Sequence, residues 1–311
     1  MGRKVKVLFR KRRFYFSLVA VLFFVYAYDF LEMRISSATY QQILADNPLG
    51  YEAQFNYHES EGRALRYVEI GHDSLPLVVF IHGAPSSSAF WKGLLRDSNL
   101  LKRAKLLAVD RPGYGYSGYG RPESSVRKQA ALIADIIRER RERHPVIIVH
   151  GSSYGGTVAA RIAMDFPALV DGLLLQSAAV APGEEKTYQF SHITENRLLR
   201  WLLPGSIHVA NVEKLTHKAQ LDSMANLWHR IRSAAIVLHG QADSLIYPSN
   251  ALYAQEKLVN APYLEVQLLE NRKHDLLWTR RDLLLSSLDK LLQMTQTAAP
   301  IASEPEGGTN G

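Results

Sequence analysis

The feature that most restricts the fold of this chain is a repeated alternation of short, mostly apolar runs with longer amphipathic ones. The short runs fall at 77–81, 104–109, 146–149, 172–175, 235–238 and 264–268. They have the length of strands and, apart from Lys105, Glu265 and Gln267, are apolar throughout, so they read as strands covered on both sides. Between them, 89–101, 125–143, 154–166, 249–259 and 281–293 are patterned as helices. Buried strands separated by helices predict an α/β domain: a mainly parallel sheet of about eight strands with helices on both faces. A hairpin of 54–57 and 64–70 about Glu61-Gly62 opens it. The alternation breaks once, between Ser177 and Arg232, where two aromatic-rich helical patches lie at 197–203 and 215–231. An excursion of that length between two strands predicts a small helical lid over 178–232.

Charge is distributed very unevenly. Arg3, Lys4, Lys6, Arg10, Lys11, Arg12 and Arg13 precede any acidic residue, and removing these seven from the 37 basic residues leaves 30, equal to the 30 acidic ones. The net charge of +7 is therefore a local signal and not a nucleic-acid-binding surface. An apolar run over 14–31 follows, which is about the shortest span that crosses a bilayer. Residues 1–31 read as a basic amino terminus and a signal-anchor helix, with that terminus cytoplasmic and the remainder exported. The alternative is a signal cleaved after Val25 and Ala27, giving a secreted protein. Residues 32–50, ending in Asn47-Pro48-Leu49-Gly50, read as a linker, 51–294 as the catalytic domain, and the Ala-, Pro- and Gly-rich 295–311 as a disordered tail. The chain has no cysteine, which excludes disulfides and thiol catalysis. Oligomeric state is not legible.

Chemistry enters at His150-Gly151-Ser152-Ser153-Tyr154-Gly155-Gly156, between an expected strand and an expected helix. Gly151-Ser152-Ser153-Tyr154-Gly155 fits Gly-x-Ser-x-Gly with Ser153 at its centre, whereas Ser152 is flanked by His150 and Tyr154 and does not fit. A nucleophilic serine needs a base, a group to orient that base, and donors for an oxyanion. Asp243 and His274 each follow an expected strand, in the order Ser153, Asp243, His274. After 77–81 comes His82-Gly83-Ala84-Pro85, whose Ala84 amide can serve as one oxyanion donor, with the Tyr154 amide as the second. Plainer readings stand beside these. Ser153 could be a turn residue and Asp243 a helix cap, while Asp275 should diverge from His274. His82 and His239 read as loop structure, Asp110-Arg111 as a turn beneath the site, and Trp91, Trp201 and Trp228 as packing.

Residues 51–294 resemble the α/β-hydrolase fold family in its lid-bearing form. The resemblance rests on His82-Gly83-Ala84-Pro85, Asp110-Arg111-Pro112-Gly113-Tyr114-Gly115-Tyr116-Ser117, the Gly151–Gly156 turn, Gly240 with Asp243 and Pro248, and His274. It implies Ser153 as nucleophile, His274 as general base and acid, Asp243 as the acid member, an acyl-serine intermediate, and neither cofactor nor metal. Two positions depart from the commonest pattern: Lys273 stands where glycine precedes the histidine, and Ser152 where His or Asn precedes the nucleophile. Relatives that open epoxides or displace halide use a carboxylate at the elbow, because a serine ether would not be released by water. The reading is therefore a membrane-tethered serine hydrolase of small-molecule carboxylic esters, thioesters or lactones. The alternatives are a carbon–carbon bond hydrolase using the same triad and a degenerate tethered binding module.

Overall fold

The computed structural model describes residues 15–19, 31–185 and 203–298. Its strands are β1 (Gln54–Ser60), β2 (Arg63–Ile70), β3 (Leu77–Ile81), β4 (Lys105–Val109), β5 (Ile147–Ser152), β6 (Gly172–Gln176), β7 (Ala234–Gly240) and β8 (Leu264–Leu269). They form one eight-stranded sheet in the order β1-β2-β4-β3-β5-β6-β7-β8. The pairings of β2 with β1 and β4 are antiparallel, and those from β4 to β8 are parallel. The β1–β2 turn is Glu61-Gly62, with φ of 48° and 71°. Two consecutive positive φ values give the two-residue turn whose twist suits a hairpin.

Every residue of β3, β4, β5, β6 and β7 is buried. Successive side chains point to opposite faces, so these runs feed two cores. Val79, Leu107, Val149, Leu173 and Val237 meet α2 (Val126–Arg138), α3 (Tyr154–Asp165) and α5 (Ser249–Lys257) on one face. Val78, Phe80, Leu106, Ile148, Leu174 and Ile236 meet α1 (Ser37–Ala45) and α6 (Arg281–Ala298) on the other. Register levels the carboxyl ends: Ile81 pairs with Gly151, Ser152 with Gln176, and Gly240 with Leu269. The loops after β3, β5, β7 and β8 therefore open on one edge.

Several sequence expectations need correction. The supposed linker at 32–50 contains α1, capped by Ser36, whose Oγ accepts from the Thr39 amide. Tyr40 and Leu44 are 1% and 0% exposed in the second core, so this segment is part of the domain. The helix expected over 89–101 is three short pieces, Ser88–Trp91, Lys92–Leu95 and Ser98–Leu101. Asp97 restarts the last of these by accepting from the Asn99 and Leu100 amides. β8 is half-exposed along its length because it is a sheet edge. At the carboxyl end α6 runs on to Ala298, past the start of the expected tail, and its Thr295 is buried. Within 178–232 the described part is α4 (Gly205–Met224) and the turn Trp228–Arg230. The patch at 197–203 and Trp201 fall almost wholly outside the described residues, as does most of the 14–31 run. Among the described residues no helix is long and apolar enough to cross a membrane.

Candidate active site

Ser153 lies between the last residue of β5 and the first of α3, with φ of 54°. A non-glycine residue in the left-handed region costs on the order of 1–3 kcal/mol and persists only where its surroundings hold it. Here the Ser153 amide donates to Gln176 O at 3.0 Å, and its carbonyl accepts from the Gly156 amide at 2.9 Å and the Ala179 amide at 3.2 Å. Space allows only glycine at Gly155, where a Cβ would run into the carbonyls of Ile81 and His82. That close approach seats α3 against the loop after β3, and the helix begins at the serine with its amide end toward it.

Asp243 and His274 meet on the same edge. Asp243 does not cap the helix that starts at Ser249, whose N-terminus has no side-chain cap; its two oxygens are engaged separately. Its Oδ1 accepts from the Leu245 and Ile246 amides at 2.9 and 3.0 Å, fixing the loop, and its Oδ2 accepts from His274 Nδ1 at 2.7 Å. Burial pushes the Asp243 carboxyl up, but hydrogen bonding and electrostatic attraction from His274, helped by the Ile246 amide, outweigh it, so the carboxyl stays below the usual range. With Nδ1 donating to the carboxylate, the neutral ring of His274 carries its lone pair on Nε2. Ser153 and His274 line the same two cavities. No hydrogen bond joins their side chains among the described residues. Catalytic contacts of this kind commonly tighten only when substrate is bound. The Asp275 carboxylate turns to Thr279 instead, whose hydroxyl lies 3.5 Å from Oδ1 and 3.1 Å from the Asp275 carbonyl oxygen.

Ala84 and Tyr154 flank Ser153, and neither amide donates to a backbone carbonyl among the described residues. Gly83 sits so close that a Cβ there would lie 3.0 Å from the Ser153 Cβ. One cavity, of about 350 Å³, runs under α4 and is lined by Ile207, Ala210, His217 and Leu221 as well as Ser153. The other, of about 750 Å³, is walled by Met33, Arg34, Ile35, Phe90 and Trp278. They meet at Ala84, Pro85, Ser153 and His274, so the serine stands between two compartments.

The remaining polar residues hold the scaffold. His82 accepts from the Arg111 amide at Nε2, 3.0 Å away, and its Nδ1–H donates to Gly83 O at 2.7 Å. Burial, helped by the Arg111 charge, holds its pKa well below normal, so it is a neutral strut. His239 is buried 3.0 Å from Ile246 O, and burial lowers its pKa too. Asp110 accepts from the Ser88 amide at 2.7 Å and the Tyr116 amide at 3.0 Å, closing the expected turn. Trp91 and Trp228 are core, 0% and 2% exposed. Sequence reasoning missed the 33–35 wall, Glu213 and His217. Only the spacing of 213 and 217 along one helix face could have flagged the last two. Among the described residues no group of three or more His, Asp or Glu is arranged to hold a metal ion.

Residues 78–302, most of the chain, match the model of the Alpha/beta hydrolase family. The chain belongs to that family. An uncharacterised Mycobacterium tuberculosis protein is 34% identical to this alpha/beta hydrolase over 125 residues, covering 40% of this chain and 34% of that protein. Epoxide hydrolase 1 of Caenorhabditis elegans is 30% identical over 112 residues, covering 35% and 27%. The match thus spans only about a quarter to a third of the length of these curated relatives. Among solved structures, a candidate lipase from Acinetobacter baumannii AYE superposes with a TM-score of 0.64 at 20% identity, covering 85% of this chain and 99% of that one. A membrane phospholipase A described as a bacterial virulence factor gives 0.61 at 19% identity, covering 94% and 99%. At these identities the likeness is one of fold.

Proposed function

We propose that this alpha/beta hydrolase cleaves carboxylic esters, thioesters or lactones through an acyl-serine intermediate. Ser153 is the nucleophile, His274 the general base and acid, and Asp243 the group that orients the imidazole. The observation that carries the reading is the 2.7 Å contact of His274 Nδ1 with Asp243 Oδ2 on the edge where Ser153 is held at positive φ. His274 Nε2 takes the Ser153 proton as Oγ attacks the carbonyl carbon. The carbonyl oxygen gains negative charge and is met by the Ala84 and Tyr154 amides. Collapse breaks the bond to the leaving oxygen or sulfur, which takes the proton from His274. Water then gives a proton to the same imidazole, attacks the acyl carbon, and releases the acid and the serine hydroxyl.

The serine is also why an ester is preferred over an epoxide, since an alkyl ether at Ser153 would have no carbonyl for water to attack. The two compartments suit a substrate with groups on both sides of its scissile carbonyl. A panel of aryl and alkyl esters of graded acyl length, run beside a vinylogous diketone, tests the reading. Turnover of the diketone with no ester turnover would instead favour carbon–carbon bond hydrolysis.

The membrane tether belongs to the same proposal and rests on the basic block Arg3–Arg13 followed by the apolar run at 14–31. It predicts that the full chain stays with membranes after alkaline carbonate washing and that added protease digests its domain from the exported side. Release by the wash would rule out a spanning anchor.

A further inference from the structure

The loop after β4 carries a buried cation that the chemistry above does not use. Arg111 and Glu213, the latter on α4, are both fully buried. Arg111 Nη1 donates to Glu213 Oε1 at 2.5 Å and Nη2 to Oε2 at 3.2 Å. Tyr114 Oη donates to the same carboxylate at 2.7 Å, and Gln129 Nε2 at 2.9 Å. Of the remaining donors of the guanidinium, Nη1 also reaches Gln129 Oε1 at 2.8 Å, and two reach toward the site: Nε to His82 O at 2.8 Å and Nη2 to Gly83 O at 3.0 Å. One planar fork thus holds the excursion helix on one side and the loop before Ala84 on the other.

The second contact has a geometric consequence. Gly83 C=O and Ala84 N–H belong to one trans peptide, whose carbonyl and amide point in opposite directions. Arg111 and His82 Nδ1 both donate to that carbonyl. Fixing the oxygen on the buried side turns the Ala84 N–H the other way, toward the cavity that Ala84 lines with Ser153. Fold stability alone is a weak reason for such an arrangement, because a buried ion pair is often no better than a well-packed apolar replacement.

We propose that Arg111 and Glu213 are positioning residues, aligning the Ala84 oxyanion donor when α4 is seated over the cavity. The proposal rests on the reading of Ala84 as an oxyanion donor. It couples the element that walls the substrate cavity to the transition-state contact.

The test uses the full chain with Glu213→Gln, Arg111→Lys and Tyr114→Phe. Active enzyme is counted by fluorophosphonate titration of Ser153, kcat and KM are measured on an aryl ester, and thermal melts are recorded. Glu213→Gln keeps the shape but removes the charge, and it should lower kcat per titrated site about 10–100-fold with KM within about threefold. Arg111→Lys keeps the charge but loses the fork and should lower kcat further. Tyr114→Phe leaves the fork whole and should lower kcat by about threefold. An aryl trifluoromethyl ketone, which forms an oxyanion on Ser153, should bind more weakly in proportion to each kcat loss. Parental kcat per titrated site in Glu213→Gln and Tyr114→Phe would overturn the proposal, as would equal changes in kcat and KM. Failure of the unmodified chain to react with the fluorophosphonate would instead overturn the Ser153 reading itself.

Discussion

At the scale of single residues, the site depends on how Asp243 divides its two oxygens. One is fixed to the loop amides, so the other can hold the imidazole in a single tautomer. Asp243→Asn keeps the size but offers an amide where His274 Nδ1 needs an acceptor. Hydrolysis of a simple aryl ester by Asp243→Asn should fall about 10³–10⁴-fold, as for other triads whose imidazole loses its orienting carboxylate. Circular dichroism should be unchanged. Parental turnover in this variant would remove Asp243 from the mechanism. The sequence made these residues legible because each follows a strand, and register then brings them to one edge. It left the distances open, since they depend on the Gly155 contact with Ile81 and His82, which no local pattern encodes.

At the scale of elements, the two surprises have separate causes. α4 buries Ser206, Val209, Glu213, His217, Leu221 and Met224, a stripe at helical spacing in which half the members are polar. A search for apolar periodicity sees little there, and the polar members are intelligible only through Arg111, a hundred residues earlier. α1 hides for a different reason: only Tyr40 and Leu44 are buried. Their i, i+4 spacing after the Ser36 cap was the available signal. Leu44→Ala should cost about 2–5 kcal/mol in chemical denaturation, as for other fully buried leucines. A change within about 0.5 kcal/mol, typical of a surface site, would restore 32–50 to the status of a linker. The sheet itself was almost fully legible, because strands buried on both faces leave an unmistakable run. The edge strand β8 alone was read as more buried than it is.

At the scale of the whole molecule, buried histidines tie stability to pH. His150 is packed against Phe80 and Trp91, and burial holds its pKa down to about 3. His217, stacked on Tyr154, is held to about 4 by burial and then by the Arg111 charge. In the unfolded chain both titrate near 6.5, so between roughly pH 6.5 and 4 the unfolded state binds more protons than the native one. Stability should therefore be fully present above about pH 6.5 and decline as pH falls through that window. Thermal melts of His217→Gln should show a shallower decline than the parent, and an unaltered slope would mean that His217 is not buried neutral. These groups, like the Arg111 fork, belong to the scaffold that holds the serine in place.

The measurement that bears most directly on the account is covalent labelling of the purified full chain with a fluorophosphonate, followed by peptide mapping and an aryl-ester assay. The account predicts one phosphonylated residue, Ser153, loss of ester hydrolysis in proportion to labelling, and neither labelling nor turnover in Ser153→Ala. Labelling elsewhere, or a Ser153→Ala protein that hydrolyses the ester as fast as the parent, would contradict it.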